Sequence, residues 1–206
     1  MKLPLSIQNL IDEFSKLPTI GRKSAERFVL FLLKRNQNEL DKFADAVKNL
    51  KIGIKKCEVC GCLDENTPCS ICADLKRDQK KICVVATTRD LIIIEDTNAY
   101  NGLYHVLGGN IDAIKEVAPE DLNIKTLLER TAKNNVKEII LALNPSFEGE
   151  STVLYLTKIL NNHPAQAYDR AGKNINITRL ARGLPTGADL QYADELTIKN
   201  ALKYRV

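Results

Sequence analysis

The chain has 206 residues, of which 44% are hydrophobic and 27% charged, and its formal net charge is +4. This composition is typical of a soluble globular protein with one large domain or two to three small ones. The mildly basic charge permits contact with an anionic polymer without requiring it, because proteins with no such partner can have the same balance.

The sequence has no pattern typical of a membrane or secreted protein. No stretch approaches the roughly 20 consecutive apolar residues of a membrane span. The first 14 residues include polar and acidic side chains that a secretory signal avoids. We therefore expect a cytoplasmic protein, in which the six cysteines bind metal or stay as free thiols rather than forming disulfides.

The sequence pattern changes three times along the chain, and we predict a domain boundary at each change. Residues 1–53 contain three runs of apolar residues at helical spacing. Residues 54–78 are rich in cysteine and too poor in apolar residues to form a core of their own. Residues 79–177 alternate strand-like and helix-like runs, and residues 178–206 form an extension with the end of a strand, a loop and a short helix.

The third segment predicts an α/β fold with a largely parallel sheet. We expect its four strands at 82–86, 102–107, 136–143 and 174–181. Helical runs at 120–134 and 151–162 lie between strands, and this alternation predicts helices on both faces of the sheet. The isoleucines of 89–101 favour a strand, but Asp90 as an N-cap and the position between two strands favour a crossover helix. We predict the helix.

The cysteine-rich segment contains two Cys-x-x-Cys pairs separated by eight residues, namely Cys57 with Cys60 and Cys69 with Cys72. Each pair can place two sulfurs on one ion, and two pairs close a tetrahedral site around Zn²⁺. Four protein ligands leave no position for water, so we predict one structural zinc per chain. A redox pair or unligated thiols are the alternatives. The spacing of Cys62 fits a ligand poorly, and Cys83 lies in a buried strand.

The stretch "LPTIGRKSAERF" at 17–28 reads as a hairpin between two helices. Gly21 is expected to supply the backbone conformation of a tight turn, and Ile20 to fill the space between the helices. Backbone amides at the start of the second helix can then hold a phosphate.

Three cationic side chains follow the hairpin and are candidates for DNA contact. Arg22 and Lys23 lie in the first turn of the second helix, and Lys23 and Arg27 share one face because they are four residues apart. The pattern resembles a helix–hairpin–helix motif, which in its family grips the DNA backbone without reading sequence. The usual hairpin has Gly where this chain has Thr19. A packing or oligomerisation hairpin with a solvated basic face is the alternative.

The ends of two predicted strands define a possible reaction site. The first strand ends at Ala86, and the third is followed by Asn144-Pro145-Ser146 and then by Glu148-Gly149-Glu150. This arrangement resembles the TOPRIM domain of topoisomerases, primases and some nucleases. Active TOPRIM domains carry a Glu after the first strand, Asp-x-Asp after the third and Glu-Gly-Glu, and these carboxylates hold Mg²⁺. Three of those acids are absent here, so we predict no catalysis.

Three remaining acids are candidates for contact with a partner protein. Glu148 and Glu150 follow a strand, where ligands and partners meet open α/β sheets. Glu95 is a weaker candidate on the surface of a helix. The alternative for Glu148 and Glu150 is that they only complement the helix dipole. His105 lies in a strand-like run and is expected to be packed or hydrogen-bonded rather than catalytic.

The order of these segments resembles the RecR family of bacterial recombination mediators over essentially the whole chain. The resemblance also rests on the stretches "GLYHVLGG", "EIILALNPSFEGEST" and "TRLARGLPTGADLQYADELT". The connection at 161–174 looks longer than the usual one in that family. No Gly-x-x-x-x-Gly-Lys-Ser/Thr loop occurs, so we predict no nucleotide hydrolysis.

The resemblance implies a non-catalytic bacterial protein of the cytoplasm and nucleoid. Members form rings of four subunits, or dimers, that can encircle DNA. With RecO and RecF they help to load RecA onto DNA coated by single-strand-binding protein. Carried onto this chain, Lys23 and Arg27, with Arg22 and Gly21, would contact DNA without sequence preference. The four paired cysteines would hold zinc, the three acids would face partners, and the N-terminal helices with residues 192–206 would contact other subunits.

Two other functions stay open at this point. A TOPRIM nuclease could use Glu95, Glu148 and Glu150 in an unusual arrangement, and magnesium-dependent strand cleavage would reveal it. A scaffold that binds only proteins could use its basic helices on a partner, and salt-sensitive DNA binding would exclude it.

Overall fold

The structure is a computed structural model that describes residues 3–133, 136–162 and 175–205. The chain forms two compact units, Met1–Ile54 and Lys55–Val206. The predicted long connection at 161–174 lies almost entirely outside the described residues, and the division of the chain into four domains stays a prediction.

The first unit contains the three helices that the apolar spacing predicts. They are α1 (Leu5–Ser15), α2 (Arg22–Leu32) and α3 (Gln37–Asn49). Ile11, Ala25 and Val29 are buried between α1 and α2, and Ile20 of the hairpin packs against them as predicted. The helix α3 buries none of its residues completely, and its Phe43 and Val47 are exposed.

The second unit begins with the cysteine-rich segment, which we call the zinc module (residues 55–73). Its hairpin joins β1 (Lys55–Lys56) to β2 (Leu63–Asp64), and the short helix α4 (Ser70–Ala73) follows. The second Cys-x-x-Cys pair spans the start of α4, since Cys69 is its N-cap. The local backbone therefore turns at both cysteine pairs.

The predicted parallel sheet is confirmed, with strand order β4-β3-β5-β6. Its strands are β3 (Asp78–Val85), β4 (Gly102–Val106), β5 (Glu138–Leu141) and β6 (Asn176–Arg179). Three helices connect consecutive strands, namely α5 (Thr88–Asp96), α6 (Ile124–Lys133) and α7 (Phe147–Asn162). Central β3 pairs on both sides: Val84 lies opposite His105 of β4 and Leu141 of β5.

The ambiguous stretch at 89–101 is helical up to Asp96, as predicted for its type, but the expected N-cap was wrong. Thr87 caps α5 by accepting a hydrogen bond from the backbone N–H of Asp90. The Asp90 carboxylate accepts in return from the backbone N–H of Thr87 at 2.9 Å. Asp90 is therefore not the N-cap but the third residue of α5, and it forms a capping box with Thr87. Its carboxylate stabilises the start of the helix from this position.

The two faces of the sheet bury different elements. On one face, Ile82 and Val84 of β3 and Leu141 of β5 pack with residues of α6 and α7. On the other face, Cys83 of β3 and Tyr104 of β4 pack with α5 and with the cysteines of the zinc module. The zinc module therefore takes the place of a helix in covering the sheet.

The C-terminal extension has the predicted loop and short helix. The helix α8 (Glu195–Lys203) is capped by Asp194, whose carboxylate accepts from the backbone N–H of Thr197 at 2.9 Å. Several large apolar side chains of the extension are exposed: Leu180, Leu184, Leu190, Tyr192, Leu196, Leu202 and Tyr204. The extension thus presents apolar surface that the described chain does not cover.

Candidate functional site

Four cysteines of the zinc module lie in one buried cluster. The sulfurs of Cys57, Cys60, Cys62 and Cys69 all lie within 4.8 Å of one another, and those of Cys60 and Cys69 are 3.6 Å apart. A tetrahedral zinc site with Zn–S bonds of about 2.3 Å needs sulfurs about 3.8 Å apart. The predicted ligand Cys72 is half-buried and lies outside this group, whereas Cys62, whose spacing fits a ligand poorly, lies within it. The donor set therefore fits zinc, and the zinc module has five cysteines for four ligand positions.

Backbone N–H groups within the zinc module point at its sulfurs. The N–H of Cys69 donates to the sulfur of Cys57 at 3.3 Å, and the N–H of Cys72 donates to the sulfur of Cys69 at 3.4 Å. These donors stabilise negative charge on the sulfurs, which must be thiolates to bind the metal. The two pairs are thus held together by the turns that the Cys-x-x-Cys spacing predicts.

The thiols of the cluster differ in acidity. A hydrogen bond with Cys72 lowers the pKa of Cys60. The same hydrogen bond raises the pKa of Cys72, and burial raises the pKa values of Cys62 and Cys69. Zinc binding must therefore displace protons from several of these thiols. Cys83 stands apart in the sheet, where burial raises its pKa to about 12, in agreement with its predicted core role.

The zinc module closes the outer edge of strand β4. The N–H of Val106 donates to the carbonyl of Cys60 at 2.7 Å, and the carbonyl of Val106 accepts from the side-chain amide of Asn123 at 3.3 Å. Gly61 makes this approach possible, because its φ is +80° and an added Cβ would lie 2.7 Å from the Val106 carbonyl. The metal site is therefore built directly onto the sheet.

Replacing Gly61 with alanine should destabilise the second unit by about 2 kcal/mol or more, because strain at positive φ adds to the clash with Val106. Urea denaturation followed by circular dichroism measures the change. The matched control is Gly183→Ala, where an added Cβ meets nothing within 4 Å. Equal midpoints for both variants would contradict the assigned backbone.

The cationic residues of α2 differ in whether they already pair with an acidic side chain. Lys23 and Arg27 are exposed and make no ion pair within the described residues. Arg22 is also exposed, but its guanidinium lies 3.1 Å from the carboxylate of Asp12. No side chain caps the N-terminus of α2, so its first amides are open to an anion. Lys23, Arg27 and this helix start thus form one cationic surface.

The expected role of Gly21 in the hairpin was wrong. Its φ of −80° and ψ of 163° are ordinary extended values that any residue adopts. The hairpin residue with positive φ is Thr19, at 66°. The left-handed turn thus occurs where the usual motif has glycine, and this chain makes it with a β-branched residue.

Replacing Thr19 with glycine should stabilise the first unit by about 0.5–1 kcal/mol. Relief of the left-handed strain outweighs the extra freedom that glycine gives the unfolded chain. Thermal denaturation measures the gain. Thr19→Ala keeps the strain and is the control, so an equal gain in that variant would show that the conformation is not the cause.

The edge where the parallel strands end carries few ligands for a metal. Ala86, at the end of β3, is buried and has no side-chain oxygen, and its backbone carbonyl accepts from the N–H of Gly108 at 2.9 Å. Ser146 accepts a hydrogen bond from the N–H of Gly149 at 3.2 Å. An added Cβ on Gly149 would lie only 1.9 Å from the carbonyl oxygen of Asn144, so this turn requires glycine. The loop into α7 is thus fixed by its own backbone contacts.

Glu148 and Glu150 lie on this edge in different environments. Hydrogen bonds from its own backbone N–H and from Ser146 lower the pKa of Glu148, which is therefore ionised at neutral pH. Glu150 accepts from Nη2 of Arg179 at 2.5 Å, and also from Nη2 of Arg182. Sequence reasoning missed these two arginines, because nothing in the spacing links β6 to α7.

Glu95 does not join the other two acids. Its carboxylate pairs with Arg77, which also donates to the carbonyl of Gly102 at 3.0 Å. Gly102 begins β4, so Glu95 lies at the end of the sheet opposite to Glu148 and Glu150. The three candidate partner residues therefore form two separate surfaces.

Comparison with known proteins covers the whole length of the chain. Three RecR family models, for the helix-hairpin-helix, the four-cysteine zinc finger domain and the C-terminal region, match residues 7–51, 54–74 and 183–206, and a model described as "Toprim domain" matches residues 80–180. Recombination protein RecR of Bifidobacterium animalis subsp. lactis is 47% identical over 97% of this chain and 95% of its own length. The chain belongs to the RecR family.

Other RecR proteins match at similar levels. Recombination protein RecR of Bifidobacterium longum subsp. infantis is 45% identical over 97% of this chain and 95% of its own length. That of Staphylococcus haemolyticus is 43% identical over all of this chain and 98% of its own length. These matches, with the observed fold, confirm the predicted order of helix–hairpin–helix, zinc module and TOPRIM domain.

The match to the zinc finger domain of the RecR family spans all five cysteines of the zinc module, four of which lie in the buried cluster, so the prediction of a structural zinc is confirmed. Which four of them bind the ion stays a prediction, with Cys57, Cys60, Cys69 and Cys72 as the expected set. In this member of the RecR family no helix among the described residues is both long and apolar enough to cross a membrane.

The buried His105 agrees with its predicted structural role. Its Nε2 lies 2.7 Å from the carbonyl oxygen of Asn123. Burial, reinforced by the charges of Arg130 and Lys56, lowers the pKa of His105 to about 4. The imidazole is therefore neutral at physiological pH and helps to seal the edge of β4.

Proposed function

We propose that the chain is a non-catalytic, DNA-binding recombination mediator. It acts as a ring-shaped clamp that works with RecO and RecF to help load RecA onto DNA coated by single-strand-binding protein. The observation that supports this most directly is the unpaired cationic surface of α2 in a chain whose TOPRIM edge has lost three metal-holding acids.

The α2 surface suits the DNA backbone rather than its bases. Lys23, Arg27 and the open amides at the start of α2 offer positive charge and N–H donors in one place. Such groups contact phosphate oxygens, which are the same in every sequence. We assign the DNA contact to Lys23, Arg27, Arg22 and Gly21 as part of the proposal. Arg22 is expected to contribute less to DNA binding than Lys23 and Arg27, because its guanidinium is already paired with Asp12.

Exposed apolar faces support assembly into a ring. Phe31 and Leu33 at the end of α2 and Phe43 and Val47 of α3 are all exposed. Large exposed apolar patches mark protein–protein interfaces. A ring of four or two subunits needs only weak phosphate contacts from each, because multivalency and topology keep it on DNA. The modest net charge of +4 agrees with such a design.

The partner-facing surface of the proposal is the edge that carries Glu148 and Glu150. Glu148 stays ionised and has no ion pair among the described residues, so it can receive a cationic group of RecO or RecF. Glu150 can do so only if the partner competes with Arg179 and Arg182. Glu95 lies elsewhere, paired with Arg77, and is a poorer contact for the same partner.

Retention on circular DNA tests the clamp. Protein loaded on a nicked circular plasmid at low salt should remain bound when salt is raised, because a closed ring cannot leave a circle. Protein on the same plasmid after linearisation should slide off at once. Gel filtration of both samples after the salt shift measures the retained protein.

A double variant that weakens assembly serves as the control for retention. Phe43→Asp with Val47→Asp should give smaller oligomers in light scattering and no retention on the circle. Equal loss of wild-type protein from circular and linear DNA would contradict the clamp and leave a simple DNA-binding protein.

The nuclease alternative is tested separately. Supercoiled and gapped plasmids incubated with the protein and Mg²⁺ should keep intact strands and an unchanged linking number. Nicking or relaxation that disappears in Glu148→Ala would show that the retained acids suffice for catalysis and would overturn the proposal.

A further inference from the structure

Arg130 of α6 is a buried cation without a counter-charge among the described residues. Arg130 is only 6% exposed, and its Nη1 donates to the carbonyl of Tyr104 at 2.6 Å. Nε and Nη2 are buried and have no hydrogen-bond partner. Arg130 takes part in none of the ion pairs found in the described structure.

Such a side chain calls for an explanation, because a guanidinium does not lose its proton in a protein. A buried charge is tolerated only when an opposite charge and hydrogen-bond acceptors compensate for its lost hydration. The carbonyl of Tyr104 satisfies one nitrogen of Arg130 and supplies no formal charge.

The outer edge of β4 places Arg130 beside the zinc module. The carbonyl of Tyr104 binds Arg130, and two residues further along the same edge the N–H of Val106 binds the carbonyl of Cys60. Two residues of a strand span about 6.6 Å. Helix α4, which carries Cys72, also packs against β4. The guanidinium and the sulfur cluster therefore share one side of the strand.

A second cation lies at the same edge. The end of the Lys56 side chain lies 3.5 Å from the position of an added Cβ on Gly61, which in turn faces the carbonyl of Val106. Zn²⁺ with four thiolates carries a net charge of −2, which two cations would balance.

We propose that Arg130 is the buried counter-charge of the zinc–thiolate site. This inference rests on the proposed zinc ligands. When bound, zinc ties the two cysteine pairs together, and its thiolates supply the negative charge that Arg130 lacks. The guanidinium is thus a positioning group that links the metal site to α6.

A role in charge compensation makes a different thermodynamic prediction from a role in packing. If Arg130 only packs against its neighbours, methionine in its place weakens the protein equally with and without zinc. If Arg130 balances the thiolates, methionine weakens zinc binding and does not weaken the zinc-free protein, because a buried uncompensated charge has been removed.

The experiment compares the full-length wild type with Arg130→Met, Arg130→Lys and the control Lys125→Met, an exposed cation on the same helix. Excess chelator with a colorimetric zinc indicator measures the rate of zinc release. We expect Arg130→Met to release zinc at least about tenfold faster, the usual effect of losing a group that supports metal ligands. Arg130→Lys should fall between it and the wild type, and Lys125→Met should match the wild type.

Thermal unfolding of the same proteins after zinc removal completes the test. Zinc-free Arg130→Met should melt at or above the zinc-free wild type. Zinc release at the wild-type rate, or an equal loss of stability with and without zinc, would overturn the inference. If Arg130→Met is insoluble, Arg130→Gln replaces it, and the same two results decide.

The choice of ligand is tested independently of Arg130. If the two Cys-x-x-Cys pairs bind the ion, purified Cys62→Ser should hold one zinc per chain and Cys72→Ser should not, although it is Cys62 that lies in the four-sulfur group of the structure. The reverse result would show that the proposed ligand set is wrong, while the release rates of the Arg130 variants would still decide whether the guanidinium compensates the site.

Discussion

Replacing Cys69 with serine is expected to remove the zinc and to unfold the zinc module. Cys69 is fully buried, lies 3.6 Å from the sulfur of Cys60 and accepts the N–H of Cys72. Structural zinc sites supply about 10–16 kcal/mol to the folding of small modules, more than the module can gain from burial. The melting temperature of the second unit should fall by tens of degrees, since one face of its sheet loses the part of its cover that the zinc module supplies.

Zinc content by elemental analysis and scanning calorimetry measure this effect. Cys83→Ala is the control for loss of a buried cysteine, because Cys83 lies in the sheet and outside the group of sulfurs that can share an ion. A Cys69→Ser protein that keeps one zinc per chain and its melting temperature would contradict the proposed site.

The second large effect is expected on DNA binding by Lys23→Glu with Arg27→Glu. Both side chains are exposed and unpaired in the described structure, so their reversal replaces attraction by repulsion at the same phosphates. Affinity should fall by at least about tenfold, and the slope of log affinity against log salt should drop by about two for each engaged subunit. Fluorescence anisotropy over a salt titration measures both.

Lys42→Glu with Lys48→Glu reverses the same number of charges on α3 and is the matched control. Both double variants should keep the oligomeric state of the wild type in light scattering. A larger loss of affinity in the α3 variant would move the DNA contact away from the hairpin, and unchanged binding in both would favour a protein-binding role for these helices.

Local patterns explain why much of the fold was predictable. The apolar runs at 82–86 and 136–143 correspond to strands that are buried on both faces of the sheet. Such strands consist mainly of apolar residues, so they can be recognised in the sequence without knowledge of the tertiary structure. The Cys-x-x-Cys pairs likewise predict zinc because three-residue turns bring their sulfurs together. The helix at 88–96 follows from a capping box whose two members lie three residues apart.

Features that depend on distant residues could not be predicted in the same way. Glu150 is separated by 29 residues from Arg179, and the ion pair exists only because β6 ends beside the start of α7. Arg130 looks like an ordinary helix-surface arginine until the fold buries it against Tyr104. The positive φ of Thr19 could not be predicted for a different reason, since glycine usually signals such a turn and the glycine of this hairpin, Gly21, lies two residues further on.

The sealed edge of β4 also has a consequence for solubility. An open strand edge offers unpaired N–H and C=O groups that can pair with another molecule and lead to aggregation. Here Cys60, Asn123 and Arg130 occupy that edge, and the zinc module holds Cys60 in place. We therefore expect oxidation or chelation of the site to expose part of this edge to intermolecular pairing, so that loss of the metal increases aggregation as well as lowering stability.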